Sequence, residues 1–222
     1  MNTLNQHKLY LLGSDEKISE LSNKESAVIL AVSDSHGRPE ILKTILKEFG
    51  PKADALVFCG DGIEDLNKIL NEDFIPPVVA LVHGNGDEST MKLIVNKAYY
   101  ISSEIKVPAA VNFNAAGTNI MVTHGHMFGV YYGTAGLENH AKETGASLVF
   151  YGHSHIADIS EQSGFTFINP GSCSLPRQGL PPSFAVIKTA GSKKPECTFY
   201  EIKVSLSEGF KFVPFSPALR HW

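Results

Sequence analysis

Three cysteines in 222 residues, Cys59, Cys173 and Cys197, are too few and too scattered for a disulfide framework. No Cys-x-x-Cys occurs, which argues against a thiolate zinc site, and a reducing compartment is expected. Long apolar runs are also missing. None approaches the roughly 18 residues needed to cross a bilayer, so no membrane partner is expected. Residues 1–26 hold one short apolar run, Leu9 to Leu12, and no basic stretch, so they do not read as a signal peptide. The expected location is the cytoplasm. Positive charge is scarce as well: 19 Lys and Arg stand against 23 Asp and Glu, a net charge of -4 with no basic run. That argues against bulk nucleic-acid binding, which needs basic surface to displace counterions, but leaves a nucleotide open as a substrate. Internal repeats and low-complexity segments are absent.

What remains is an ordinary globular composition with an unusual supply of histidine. Hydrophobic residues make up 43% and charged residues 19%, enough for one sizeable core. Residues 1–26 are expected to be an arm that decorates the surface or an oligomer contact, and residues 27–222 the folded domain. Ala27 to Asp34 (AVILAVSD) is a continuous apolar run ending in polar groups, the pattern of a strand buried on both faces. Ala55 to Asp61 and Val78 to Asn85 repeat it. Between them, Pro39 to Phe49 and Ile63 to Leu70 have helical spacing, so parallel β-α-β units are predicted. Two further strands, AAVNFN and NIMVTHG, flank a turn at Ala115 to Thr118. A helix over Thr134 to Thr144, a buried strand over Leu148 to Ser154 and four short antiparallel strands follow. The predicted fold is α/β, with two sheets packed face to face and helices outside.

Each predicted core strand ends in a polar cluster, where open α/β sheets bind ligands. Asp34 and His36 lie two apart. Gly60-Asp61 is a turn whose carboxylate could reach two cations. Gly84-Asn85-Gly86-Asp87 offers a neutral oxygen ligand and an NH₂ donor. His124-Gly125-His126 and His153-Ser154-His155 are imidazole pairs, and a buried pair without partners is costly. Singly, each has a plain alternative: a helix cap, a common turn, an Asn-Gly turn or a packed histidine. Five in order, each at the end of an apolar run, are much harder to explain without a metal site.

The order Asp-x-His, Gly-Asp, Gly-Asn-x-Asp, Thr-His-Gly-His and Gly-His-Ser-His resembles the calcineurin-like metallophosphoesterase superfamily, in particular its small single-domain bacterial and archaeal phosphodiesterase branch. The resemblance runs from about Ala27 to Ser172 and includes Asn169-Pro170-Gly171-Ser172. It implies a four-layer α/β/β/α sandwich of two mixed sheets. It implies one divalent cation on Asp34, His36, Asp61 and His155, and another on Asp61, Asn85, His124 and His153, with Asp61 bridging. Manganese is the leading expectation, and iron, zinc or nickel also suit these donors. The implied reaction is hydrolysis of a small phosphodiester by in-line attack of a hydroxide shared by the two cations. Asn85, Asp87, His124 and His126 are the expected catalytic residues. Asn85 would hold a phosphoryl oxygen, and Asp87 would orient His124 or a water. Many relatives have His at the position of Gly86, so either His126, a water or a metal would assist the leaving group here, or diesters with acidic leaving groups would be preferred. Arg38 and Arg177 lie near the motif loops, as phosphate contacts or, more simply, as solvated charges. Tyr131 and Tyr132 could line a substrate pocket or merely pack. Small relatives often associate, so a homodimer or tetramer is expected. Two alternatives stay open: a scaffold of the same fold, as in the retromer subunit with its impaired metal site, and a phosphomonoesterase.

Overall fold

The structure, a computed structural model, describes residues 5–96, 101–205 and 209–217. Residues 1–4 of the expected arm and the last five of the expected domain lie outside that set. A six-stranded mixed sheet has the order β13-β12-β11-β1-β2-β3. Its centre is β1 (Ala27–Val32), β2 (Ala55–Phe58) and β3 (Val78–Leu81), which run parallel. The antiparallel strands β11 (Ser183–Thr189), β12 (Glu196–Ser205) and β13 (Gly209–Phe215) extend it. The second sheet has the order β6-β7-β8-β10-β9. It contains β6 (Ala110–Ala115), β7 (Thr118–Thr123), β8 (Leu148–Phe150), β9 (Asp158–Gln162) and β10 (Phe165–Asn169).

The pleat explains why β1 reads as an unbroken apolar run. Ile29 and Ala31 face the second sheet, meeting Val122, Phe150 and Ile168. Leu30 and Val32 face outward, into a core with Leu42, Ile45 and Leu46. Those three lie on one face of α2 (Pro39–Phe49), which starts at a proline suited to a first helical position. On the far side, Met121, Val149 and Phe167 pack against Leu137 and Ala141 of α4 (Ala135–Thr144). Helices, sheet, sheet, helix: the four layers are as expected.

Three features depart from the sequence reading. The helix α3 covers only Ile63–Asn67. The Ile69 N–H turns to Leu66, three residues back, and the helical ladder stops before Leu70. A two-stranded sheet, β4 (Thr90–Asn96) with β5 (Ile101–Lys106), adds Met91, Leu93 and Ile105 to the outer core. Finally, the N-terminal segment packs instead of decorating the surface. Leu11 and Leu12 are fully buried, and Leu12 exchanges two 2.8 Å backbone hydrogen bonds with Val79 on the edge of β3. The helix α1 (Asp15–Asn23), capped by Ser14, buries Leu21 between the sheets. No helix among the described residues is long and apolar enough to cross a membrane.

Candidate metal centre

The carboxyl ends of β1, β2, β7 and β8 deliver Asp34, Asp61, His124 and His153 to one edge of the sandwich. The turns there are sharp. Asp34, His36, Asp61, His153 and His155 all have left-handed φ, between 43° and 66°. Asp and His tolerate that region better than most side chains, but each such turn still stores about 1–3 kcal/mol. Close backbone approach also demands glycine. A Cβ on Gly84 would lie 2.0 Å from Asp61 Oδ1, and one on Gly152 would lie 2.1 Å from Ser33 Oγ.

Two groups of donor atoms converge, with the atoms of each within 4.8 Å of one another. One is Asp34, His36 and His155; the other is Asp34, Asp61 and His124. His155 Nε2 lies 3.2 Å from Asp34 Oδ1 and 3.1 Å from His36 Nε2. Asp61 Oδ2 sits between the groups, 3.8 Å from His36 Nε2 and 3.6 Å from His124 Nε2. The His153 ring is 5.1 Å from that of His124, and the His126 ring 5.4 Å. Asn85 is exposed, on a turn tied to the same place: the Gly86 N–H donates to Asp61 Oδ1 at 2.8 Å.

The donors fit a cation. His124 Nδ1 faces the Cys59 carbonyl at 2.7 Å, and His155 Nδ1 faces that of Leu175 at 2.7 Å. A carbonyl only accepts, so each Nδ1 carries the proton and each Nε2 presents a lone pair inward. His124 Nε2 and Asp34 Oδ1 are buried with no hydrogen-bond partner among the described residues. Orphaned buried acceptors of this kind are expensive unless something electropositive meets them. Burial alone would push the Asp34 carboxyl up, but contacts from His155 and His36 outweigh it and hold it well below the usual range. The Asp34 contact, followed by weaker opposing burial, raises His36. Burial works against His124, yet Asp61 and Asp34 together raise it. Burial, then His124, lowers both His126 and His153.

Asp87 does something other than expected. Its carboxylate accepts the backbone N–H groups of Asp61, Gly62, Ile63 and Gly84 at 2.6–3.0 Å. It therefore clamps the Asp61 turn, and His124 is oriented by Cys59 instead. A second clamp escaped the sequence reading. Asp65 Oδ2 accepts from Ser35 Oγ and from the Gly37 and Arg38 N–H groups, at 2.7–3.1 Å, and so holds the Asp34–His36 turn. Its signal was an Asp among the buried apolar residues of α3. Asn169 likewise holds the Gly152–Ser154 turn through Gly152 O and Ser154 Oγ. Arg38 is exposed and lies 3.5 Å from Glu40. Arg177 and Tyr131 meet at the rim, where Tyr131 Oη donates to the His153 carbonyl. A cavity of about 630 Å³, lined by Thr118, Ser147 and Lys194 among others, sits at the opposite end of the second sheet, away from every donor cluster.

Comparison with known proteins agrees with this geometry. A family model described as the calcineurin-like phosphoesterase superfamily domain matches residues 28–192. The chain is 32% identical over 159 residues to the probable metallophosphoesterase YsnB of Bacillus subtilis, covering 72% of this chain and 82% of that protein. It is 27% identical over 173 residues to the phosphodiesterase YfcE of Escherichia coli, covering 72% and 86%. Among solved structures, a conserved uncharacterized protein of the phosphoesterase type from Streptococcus pneumoniae aligns with a TM-score of 0.64 at 22% identity, covering 86% and 99%. Vacuolar Protein Sorting 29 from Cryptosporidium parvum aligns at 0.63 and 18%, covering 87% and 100%. At these identities the two structures speak to the fold alone.

Proposed function

The chain belongs to the calcineurin-like phosphoesterase superfamily, and from that premise we propose that it is a metal-dependent phosphodiesterase acting on a small phosphodiester. The observation that carries this reading is the pair of orphaned inward-facing acceptors, His124 Nε2 and Asp34 Oδ1. Asp34, His36, Asp61 and His155 would hold one divalent cation, and Asp61, Asn85, His124 and His153 the other. Such a pair supplies Lewis acidity and lowers the pKa of water. The chain supplies the rest. Asn85 donates its NH₂ to a phosphoryl oxygen as charge builds there. His126, beside His124 and His153, is the imidazole at hand to pass a proton to the leaving oxygen. The clamps of Asp65 and Asp87 keep the ligand turns in register. With glycine at position 86, proton delivery falls to His126, whose lowered pKa makes it a weak acid carrier near neutral pH, so diesters with acidic leaving groups should turn over faster than alkyl monoesters.

The test is reconstitution with Mn²⁺ and an assay on bis(4-nitrophenyl) phosphate and an alkyl monoester. Turnover of the diester, and its loss by at least about 100-fold in Asp61→Asn and His153→Ala, is the expected result. Full activity in both variants would refute the site. A binding scaffold is the second reading, favoured by the likeness of fold to Vacuolar Protein Sorting 29. Bound metal without hydrolysis of any phosphoester would select it.

A further inference from the structure

We propose that Arg177 and Tyr131, with the exposed Met127 and Tyr132 of the Tyr131 loop, form a substrate-selecting rim for a phosphodiester that carries a flat aromatic group, such as an aryl or nucleobase moiety. The inference deepens the phosphodiesterase reading and rests on it. Seven large hydrophobic residues are exposed among the described residues, and four of them, Met127, Tyr131, Tyr132 and Leu175, lie on the two loops that serve the ligand turns. Tyr132 is 94% exposed and Met127 68%. Exposed apolar side chains scattered singly need no explanation, but a concentration beside a polar centre marks a surface that meets something apolar.

The rim is wired to the centre. The Tyr131 ring lies 4.9 Å from the His153 ring, and its hydroxyl donates to the His153 carbonyl at 3.1 Å. Arg177 Nη1 donates to that same hydroxyl, and its guanidinium lies 5.9 Å from the Tyr131 ring centre. The Arg177 N–H donates to the His155 carbonyl at 3.2 Å. Arg177 thus meets His155 through its main chain and His153 through Tyr131, and no carboxylate pairs with it among the described residues. Arg38, at the first cluster, is the contrast: its charge is met by Glu40. A guanidinium keeps four N–H donors after giving one to Tyr131, in a fork that suits the non-bridging oxygens of a phosphoryl group. The Tyr131 ring against it, and the exposed Met127 and Tyr132 on the same loop as Tyr131, suit a flat ring, and an alkyl group would leave them wet. Charge and shape select separately, so they can be tested separately.

The experiment is calorimetric binding of phenylphosphonate and methylphosphonate to the Mn²⁺-loaded protein, with metal content measured for every variant. Wild type is expected to bind phenylphosphonate about tenfold tighter than methylphosphonate. Arg177→Met should weaken both by about tenfold at unchanged metal content, with Arg177→Lys recovering part of the loss. Tyr132→Ala should leave methylphosphonate unchanged and erase most of the phenyl preference. Arg38→Met should bind both as wild type does. The rim proposal falls if wild type shows no phenyl preference, or if the Arg177 and Tyr132 variants bind like wild type. It also falls if Tyr132→Ala changes only the concentration dependence of the molar mass, which would make the patch a contact between copies of the chain. A rim that binds as stated in a protein that hydrolyses no phosphoester would instead sink the phosphodiesterase reading alone.

Discussion

A carboxylate that accepts four backbone N–H groups, as Asp87 does, behaves almost as part of the main chain. Its removal orphans donors in the turn that carries Asp61. We expect Asp87→Ala to cost about 3 kcal/mol in urea unfolding and to lower metal-supported turnover more than tenfold. Asp87→Asn, which keeps one acceptor oxygen, should fall between. Unchanged stability in the alanine variant would mean the turn has other support. At this scale the sequence was informative about donors and silent about their support. Asp34, His36, Asp61, His124 and His155 could be read because each sits just past an apolar run, and they do converge. The groups that aim them could not. Two are main-chain carbonyls, of Cys59 and Leu175, which leave no mark in a residue pattern. Asp87 is expected from sequence to orient His124 or a water, because a residue pattern cannot say which N–H groups a carboxylate will meet.

Among elements, the N-terminal segment departs furthest from its sequence reading. Leu9 to Leu12 is too short to announce a strand, yet residue 12 closes the open edge of β3 with paired backbone bonds. Free edges invite pairing with other chains, so the segment protects the sheet as well as adding apolar burial. Leu11→Ala and Leu12→Ala should each lower stability by about 2–4 kcal/mol in chemical denaturation, with the metal stoichiometry of the folded protein unchanged. Losses under 1 kcal/mol would show that the segment is only loosely attached. The parallel strands were legible because burial on both faces forces continuous apolar runs. The hairpin of β4 and β5 was not, since its strands lie on one outer surface and carry charged residues such as Lys92, Glu104 and Lys106 between the buried ones. The strand β13 was hidden for the same reason: its residues are exposed or half-buried.

For the whole molecule, protons and the cations of the proposed centre would compete for the same nitrogens. His36 and His124 are raised above the ordinary 6.5. A raised histidine stabilises the folded chain fully below its unfolded pKa, and that contribution is lost as pH rises through the folded pKa. Chelator-treated protein should therefore lose melting temperature from about pH 6.5 upward. Added Mn²⁺ must find those nitrogens deprotonated, so its stabilisation should grow over the same window and fade below it. At 1,000 times the dissociation constant it would reach about 4 kcal/mol. Melting curves at several pH values, with and without metal, check this. A metal effect that is largest in acid would contradict the assignment. Asp34, held below the usual carboxylate range, stays charged across the whole span and adds no slope there.

The clamps of Asp65 and Asp87 have a consequence for how the protein lives with its surroundings. Because acids and carbonyls of the chain hold the loops, the proposed centre needs no particular element to mould it, and its donor set suits several first-row ions. Choice then passes to inventory. Cells grown in manganese-rich and in zinc-rich media should yield the same protein carrying different cargo, each batch a record of what its culture had to offer.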